Sequence, residues 1–255
     1  MPDKYEAELP DEVHELLAAA DKDREIRLTR AATAENLKFL ELVRSKVKDV
    51  PLFWAVTLLS HPELGQAASS TSDKEVFKYL TDLELVQDAH DPREYEIVFH
   101  FKENPYFTNT ELRKKYALPN GTKPAPADGT ITDEMRAFEA TDLEPSSMTI
   151  EWKADNDLIA KHPRKLNSED DEIIDGDIGS FFHFFTEKSD IMSLGGTIID
   201  VLAEPLEFFA NDPAGFDSDF DEEDDEDEGS IDLGGDDDED EPQRKKQKKE
   251  RCCHH

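Results

Sequence analysis

The stretch that decides the fold runs from Arg93 to Leu118, REYEIVFHFKENPYFTNTELRKKYAL. In its first half Tyr95, Ile97, Phe99 and Phe101 recur at every second residue, the period of a strand with one buried face. Ahead of it Leu83 and Leu85 alternate with acids, and the turn-like DAHDP (88–92) separates the two runs, so together they predict an antiparallel hairpin. Asn104-Pro105 closes the second strand. The remainder, TNTELRKKYAL (108–118), offers Thr108 and Glu111 as a capping box and sets Leu112 and Tyr116 one turn apart, which predicts a helix.

Toward the N-terminus, residues 1–10 read as flexible. From Asp11 to about Val47 there is neither proline nor glycine, and Ala, Leu, Glu, Lys and Arg dominate, so a long helix is predicted within 11–50. Ile26, Thr33, Leu40 and Val47 fall seven apart with Leu37 between two of them, and Leu28, Phe39, Leu42 and Val43 widen the apolar face. A helix of about 35 residues reaches roughly 50 Å, longer than a small domain, so this stripe is expected to face a second chain. Arg30 and Arg44 interrupt the seam, and a long core helix of a single chain fits the same pattern. PLFWAVTLLSHPELGQ (51–66) reads as a buried helix stopped at His61-Pro62, and Ser72 with Glu75 as the box of a further short helix.

Toward the C-terminus, residues 119–147 are rich in Pro, Gly, Thr and acids and predict a long loop with little fixed structure. MTIEWK (148–153) returns to alternation, with Met148, Ile150 and Trp152 on one face. A polar connector (154–177) precedes SFFHFF (180–185), too apolar for water, and Leu194, Ile198 and Leu202 mark a helix closed by Glu204-Pro205. The reading is an α+β domain over 51–216 that follows the long helix.

The formal net charge is -33 over 255 residues. Residues 217–241 hold 17 carboxylates and residues 242–255 are net positive by 5, which leaves -21 on residues 1–216. Such an acidic body repels phosphate, so direct specific binding to DNA is not expected and a basic protein is the natural partner. The acidic run cannot bury a core, and it fits either a polyanion that captures a basic partner or a solubilising brush. Arg244, Lys245, Lys246, Lys248, Lys249 and Arg251 match a nuclear-import cluster or a counterweight to the acids. The only cysteines, Cys252 and Cys253, are adjacent, so no disulfide framework is expected, and no apolar run is long enough to span a bilayer. The terminal CCHH lacks the spacing of a zinc site. With no HExxH, no GxSxG and no glycine-rich phosphate loop, neither catalysis nor a cofactor is expected.

VPLFWAVTLLSHPEL, YLTDLELV, YEIVFHFKENPYFTNTELRKKYAL, MTIEWK and SFFHFFTEKSD, in that order and followed by an acidic tail, resemble the nucleosome assembly protein family, most closely its SET branch and the related short fungal members. The resemblance covers most of residues 25–228 and is weakest at 119–147 and 154–177. It implies a homodimer built on the long helix, with Ile26, Thr33, Leu37, Leu40 and Val47 as dimer contacts. Each chain would add an "earmuff" domain whose core includes Phe99, Phe101, Pro105, Tyr106, Phe107, Phe181, Phe182, Phe184 and Phe185. It implies a nuclear histone chaperone, able to shuttle with the cytoplasm, that binds both the tetramer-forming and the dimer-forming core histone pairs without catalysis. Histone contacts are expected at Glu139, Asp142, Glu144, Glu169, Asp170, Asp171, Glu172, Asp200 and Glu204. In the tail they are expected at Asp221, Glu222, Glu223, Asp224, Asp225, Glu226, Asp227 and Glu228. The same resemblance leaves room for a regulatory subunit or inhibitor of a histone acetyltransferase or protein phosphatase.

Overall fold

The computed structural model describes residues 8–165 and 178–211. Helix α1 (Asp11–Lys46) runs for 36 residues, about 54 Å at 1.5 Å per residue. Asp11 and Glu12 in its first turn and Arg44 and Lys46 in its last each oppose the helix dipole end they meet. Three short helices follow, α2 (Phe53–Leu59), α3 (Pro62–Ala67) and α4 (Thr71–Phe77), then the strands β1 (Leu80–Gln87), β2 (Tyr95–Phe101) and β3 (Glu111–Ala117). Helix α5 (Asp133–Ala137), a 3-10 turn (Ala140–Asp142) and β4 (Glu144–Pro145) lead to α6 (Leu158–Lys161), α7 (His183–Thr186), α8 (Leu194–Ala203) and α9 (Pro205–Ala210). The four strands form one antiparallel sheet in the order β1-β2-β3-β4. The expected α+β architecture is present, with the hairpin of β1 and β2 forming one side of the sheet.

The predicted helix at 108–118 is a strand. Leu112, Lys114 and Tyr116 alternate inward on β3, opposite Phe99, Ile97 and Tyr95 of β2. Residues four apart share a face in a strand as well as in a helix, and a lysine at the middle inward position hides the alternation. Lys114 is fully buried; its Nζ donates to the Glu187 and Ser189 carbonyls at 2.7 and 3.3 Å, and burial brings its pKa down to about 8.

Three other expectations change. MTIEWK is held by an isolated β-bridge between Phe107 and Trp152 and by backbone hydrogen bonds with Tyr106, Thr108 and Phe185, while the fourth strand lies earlier, at Glu144–Pro145. The cap of α4 is Ser70, whose Oγ accepts from Asp73 N at 3.0 Å, two residues ahead of the expected Ser72. Of the nine expected core residues, Pro105 is exposed and Tyr106 half-buried. Asn104 is buried in their place because its Oδ1 accepts from the backbone N–H groups of Tyr106 and Phe107 and so forms the turn.

The core is a cluster of phenylalanines. All four in SFFHFF are at most 2 % exposed, and Phe185 meets Phe99 edge to face at 5.1 Å. Asp73 closes the segment onto α4 by accepting from Ser180 Oγ at 2.6 Å and Phe181 N at 3.1 Å, and burial pushes its carboxyl up. Tyr116 donates to Asp190, which also accepts from Leu194 N and Gly195 N and so fixes the start of α8 under β3.

Candidate functional site

The site is organised around the two faces of α1. At 100° per residue, Ile26, Thr33, Leu37, Leu40 and Val47 fall within an arc of about 80°, and Val13, Leu17, Leu28, Phe39 and Leu42 within another about 80° wide on the opposite side. The first face turns to the chain's own body. Leu40 is 3 % exposed in the single chain, Ile26, Thr33, Leu37 and Val47 are half-buried, and α1 packs on α8, α5 and β1. Leu40 therefore has no surface left for a partner, which corrects its expected role as a dimer contact. The opposite face is uncovered: Leu17, Leu28 and Leu42 are 52 %, 59 % and 53 % exposed.

The arginines that interrupt the expected seam hold the helix to the body. Arg44 donates to Asp82 at 2.6 Å and Glu84 at 3.3 Å, and Arg30 donates to the Gly129 carbonyl at 3.0 Å. His100 completes the Arg44 end, with its ring nitrogens 3.0 Å from Glu84 and 3.4 Å from Glu111.

The expected loose loop at 119–147 is a clasp over α1. Arg136 of α5 binds Asp23 of α1 through Nε at 2.7 Å, and Met135 is buried. The hydrogen bond from Arg136 holds the Asp23 carboxyl below the usual carboxylate range. At the base of the clasp Arg93 donates to Asp91 at 2.6 and 2.7 Å, while Asp91 also accepts from Ala125 N at 2.7 Å. Burial alone would raise Asp91, but these donors outweigh it and its pKa is lowered.

The expected acidic residues fall into two described groups. Glu139, Asp142 and Glu144 are exposed on the clasp, where Asp142 Oδ2 accepts from Glu139 N at 2.9 Å and Glu144 pairs with the end of β3. Asp200 and Glu204 are exposed on α8 and just beyond it. Glu207 on α9, which sequence reasoning missed, joins the second group: its hydrogen bond and charge raise the Glu204 carboxyl above the ordinary value. A spacing of three residues across Glu204-Pro205 is the signal that would have revealed the pair. Glu169, Asp170, Asp171 and Glu172, the tail acids Asp221 to Glu228 and the basic cluster from Arg244 to Arg251 lie outside the described residues.

Glu139 of the first group lies in a cleft beside α1. A cleft of about 260 Å³ separates α1 from the clasp, another of about 170 Å³ separates it from α8, and Thr29 lines both. Among the described residues, no group of three or more His, Cys, Asp or Glu side chains could hold a metal ion, and no helix is long and apolar enough to cross a membrane.

Comparison with known proteins matches this arrangement. The family model "Nucleosome assembly protein (NAP)" fits residues 4–247. "NAP1-related protein 1" of Arabidopsis thaliana is 31% identical over 184 residues, covering 70% of this chain and 62% of the relative. "NAP1-related protein 2" of Oryza sativa subsp. indica is 31% identical over 187 residues, covering 69% and 64%. The chain thus spans somewhat under two thirds of the length of these relatives. The crystal structure of Ccp1 superposes with a TM-score of 0.55 at 18% identity, covering 79% of this chain and 96% of that one. Nucleosome assembly protein S from Plasmodium falciparum gives 0.53 at 19% over 78% and 95%, and Vps75 gives 0.52 at 16% over 80% and 99%. With a family model spanning nearly its whole length and the long helix, sheet and clasp in place, the chain belongs to the nucleosome assembly protein family.

Proposed function

We propose that the chain is a dimeric nuclear histone chaperone that shields both core histone pairs with the acidic surface bordering α1. The observation that carries the reading is a body of net charge -21 that exposes Asp200, Glu204 and Glu207, in a chain of this family. Exposed carboxylates gathered on one surface attract a lysine- or arginine-rich partner. Histones held there are kept from precipitating on DNA and pass to it when it presents the denser polyanion. The tail acids add steering, and the basic cluster at 244–251 supplies nuclear import.

Dimerisation uses the uncovered face of α1. Leu17 and Phe39 stand 11 residues either side of Leu28, and Val13 and Leu42 stand 15 and 14 either side. Two antiparallel copies crossing at Leu28 therefore bring Leu17 onto Phe39 and Val13 onto Leu42.

Titrating each histone pair separately at about 0.15 M and 0.5 M salt tests the reading, since exposed charges more than roughly 8 Å apart are largely screened at the first concentration and nearly all at the second. Binding that falls steeply with salt, and falls further in the triple variant Asp200→Asn, Glu204→Gln, Glu207→Gln, is expected. Indifference to histones at 0.15 M contradicts it.

A further inference from the structure

The turn at 119–122, where β3 gives way to the clasp, carries a reactivity of its own. Thr122 N donates to the Pro119 carbonyl at 3.1 Å, and between these residues stand Asn120 and Gly121, both exposed. Gly121 has φ +94° and open space where a Cβ would sit, a backbone conformation that glycine holds without strain. Asn120 is the one asparagine of seven in the sequence that precedes a glycine. A carboxamide beside an uncrowded backbone nitrogen is a reactive pair, because closure of a five-membered ring brings that nitrogen onto the side-chain carbon.

Bonding decides whether such a pair is free to react. Neither the Asn120 side chain nor the Gly121 N–H makes a hydrogen bond among the described residues. Asp128-Gly129 on the same clasp is the contrast: Gly129 N donates to the Pro126 carbonyl at 2.9 Å and Asp128 Oδ1 accepts from Thr130 N at 3.0 Å, so nitrogen and carboxyl are both held. Ring closure at Asn120 requires the Asn120-Gly121 peptide to rotate toward Cγ. Glycine accepts the new φ, and the bond disturbed is the exposed one from Thr122 N to Pro119.

We propose that Asn120-Gly121 is a self-modifying site through which the clasp gains a carboxylate without an enzyme. The Gly121 nitrogen gives its proton to hydroxide and bonds to Asn120 Cγ; the bond from Cγ to its amino group breaks, and that group takes a proton from water and leaves as ammonia. Water then opens the cyclic imide. Attack at Cγ breaks the new bond and leaves aspartate, whereas attack at the main-chain carbonyl carbon breaks the original peptide bond and leaves isoaspartate, with the chain running through Cγ. No electrons change hands. Glu134 and Asp142 line the cleft in which Asn120 lies, together with Arg93, whose charge Asp91 already balances. Each event therefore adds one negative charge to the acidic side of the clasp, which grows with the age of the molecule.

The test follows the full-length chain by peptide mass spectrometry during incubation at neutral pH, beside a synthetic peptide of residues 116–126. The fragment holding Asn120 should gain the mass of an exchange of NH2 for OH, and an isoaspartyl-directed carboxyl methyltransferase should label it. Both signals should appear faster at mildly alkaline pH, because the attacking nitrogen must lose its proton. The rate in the protein should lie within about tenfold of that in the free peptide, the weight of the one exposed hydrogen bond that the rotation breaks. Asn120→Gln, whose ring would need six members, should lose both signals. Gly121→Ala should slow them by roughly tenfold or more, since a Cβ crowds the nitrogen and resists the change of φ. Protection by the fold beyond that tenfold range, or a label on this fragment that persists in Asn120→Gln, overturns the site.

Discussion

The inner and outer faces of α1 carry much the same residue types, Leu with Ile and Val on one and Leu with Phe and Val on the other, yet they have different fates. The inner face meets α8, α5 and β1 of its own chain and is tied there by Arg30, Arg44 and the Asp23–Arg136 pair. The outer face is exposed among the described residues and is spaced symmetrically about Leu28. A periodic apolar stripe shows that a helix is amphipathic; what covers it depends on pegs and spacing that periodicity does not report.

The largest effect expected from this contrast comes from Leu28→Glu. Placed where two copies cross, the substitution sets two carboxylates against each other in an apolar seam and should weaken dimerisation by roughly 100-fold or more. Light scattering at micromolar protein should then report one chain per particle with helical content retained, because Leu28 is exposed in the single chain; an unchanged dimer would break the assignment of the outer face. Leu40→Ala on the inner face should act oppositely. It should lower the stability of each chain by about 2–5 kcal/mol, measured by urea unfolding, and leave the contacts between chains intact.

Arg136→Ala should have a smaller effect, since the ion pair is partly exposed, and should release the clasp from α1 while the sheet stays folded. Hydrogen exchange at residues 130–145 measures it. The smallest effect concerns pH. Asp23 and Asp91 have lowered pKa values, so the stability they lend is complete above the unfolded carboxylate value of about 3.9 and is lost as pH falls through their lower folded values. Exchange at 130–145 should therefore rise below about pH 4 in the unaltered protein, and Arg136→Ala should already show part of that loss at neutral pH.

Much of this was legible in the sequence. The hairpin, the long helix and the phenylalanine core follow from periods of 2 and 3.6, and Leu194, Ile198 and Leu202 are all buried on α8 as their spacing requires. What was not legible depends on long-range pairing. Lys114 masked a strand because its ammonium is satisfied by carbonyls more than 70 residues away. The clasp reads as loop because its fixed points, Arg136 on Asp23 and Arg30 on Gly129, are about 100 residues apart in the chain. For the same reason Glu139 could be named as a surface acid but not placed in a cleft beside α1.

The account rests on the folded body, and the most direct test is to titrate each core histone pair against the intact protein and against a chain ending at Phe216, at about 0.15 M salt. The account predicts that the shortened chain still binds both pairs, with reduced affinity and a smaller salt dependence because fewer charges take part. Complete loss of binding on removal of residues 217–255 would contradict it.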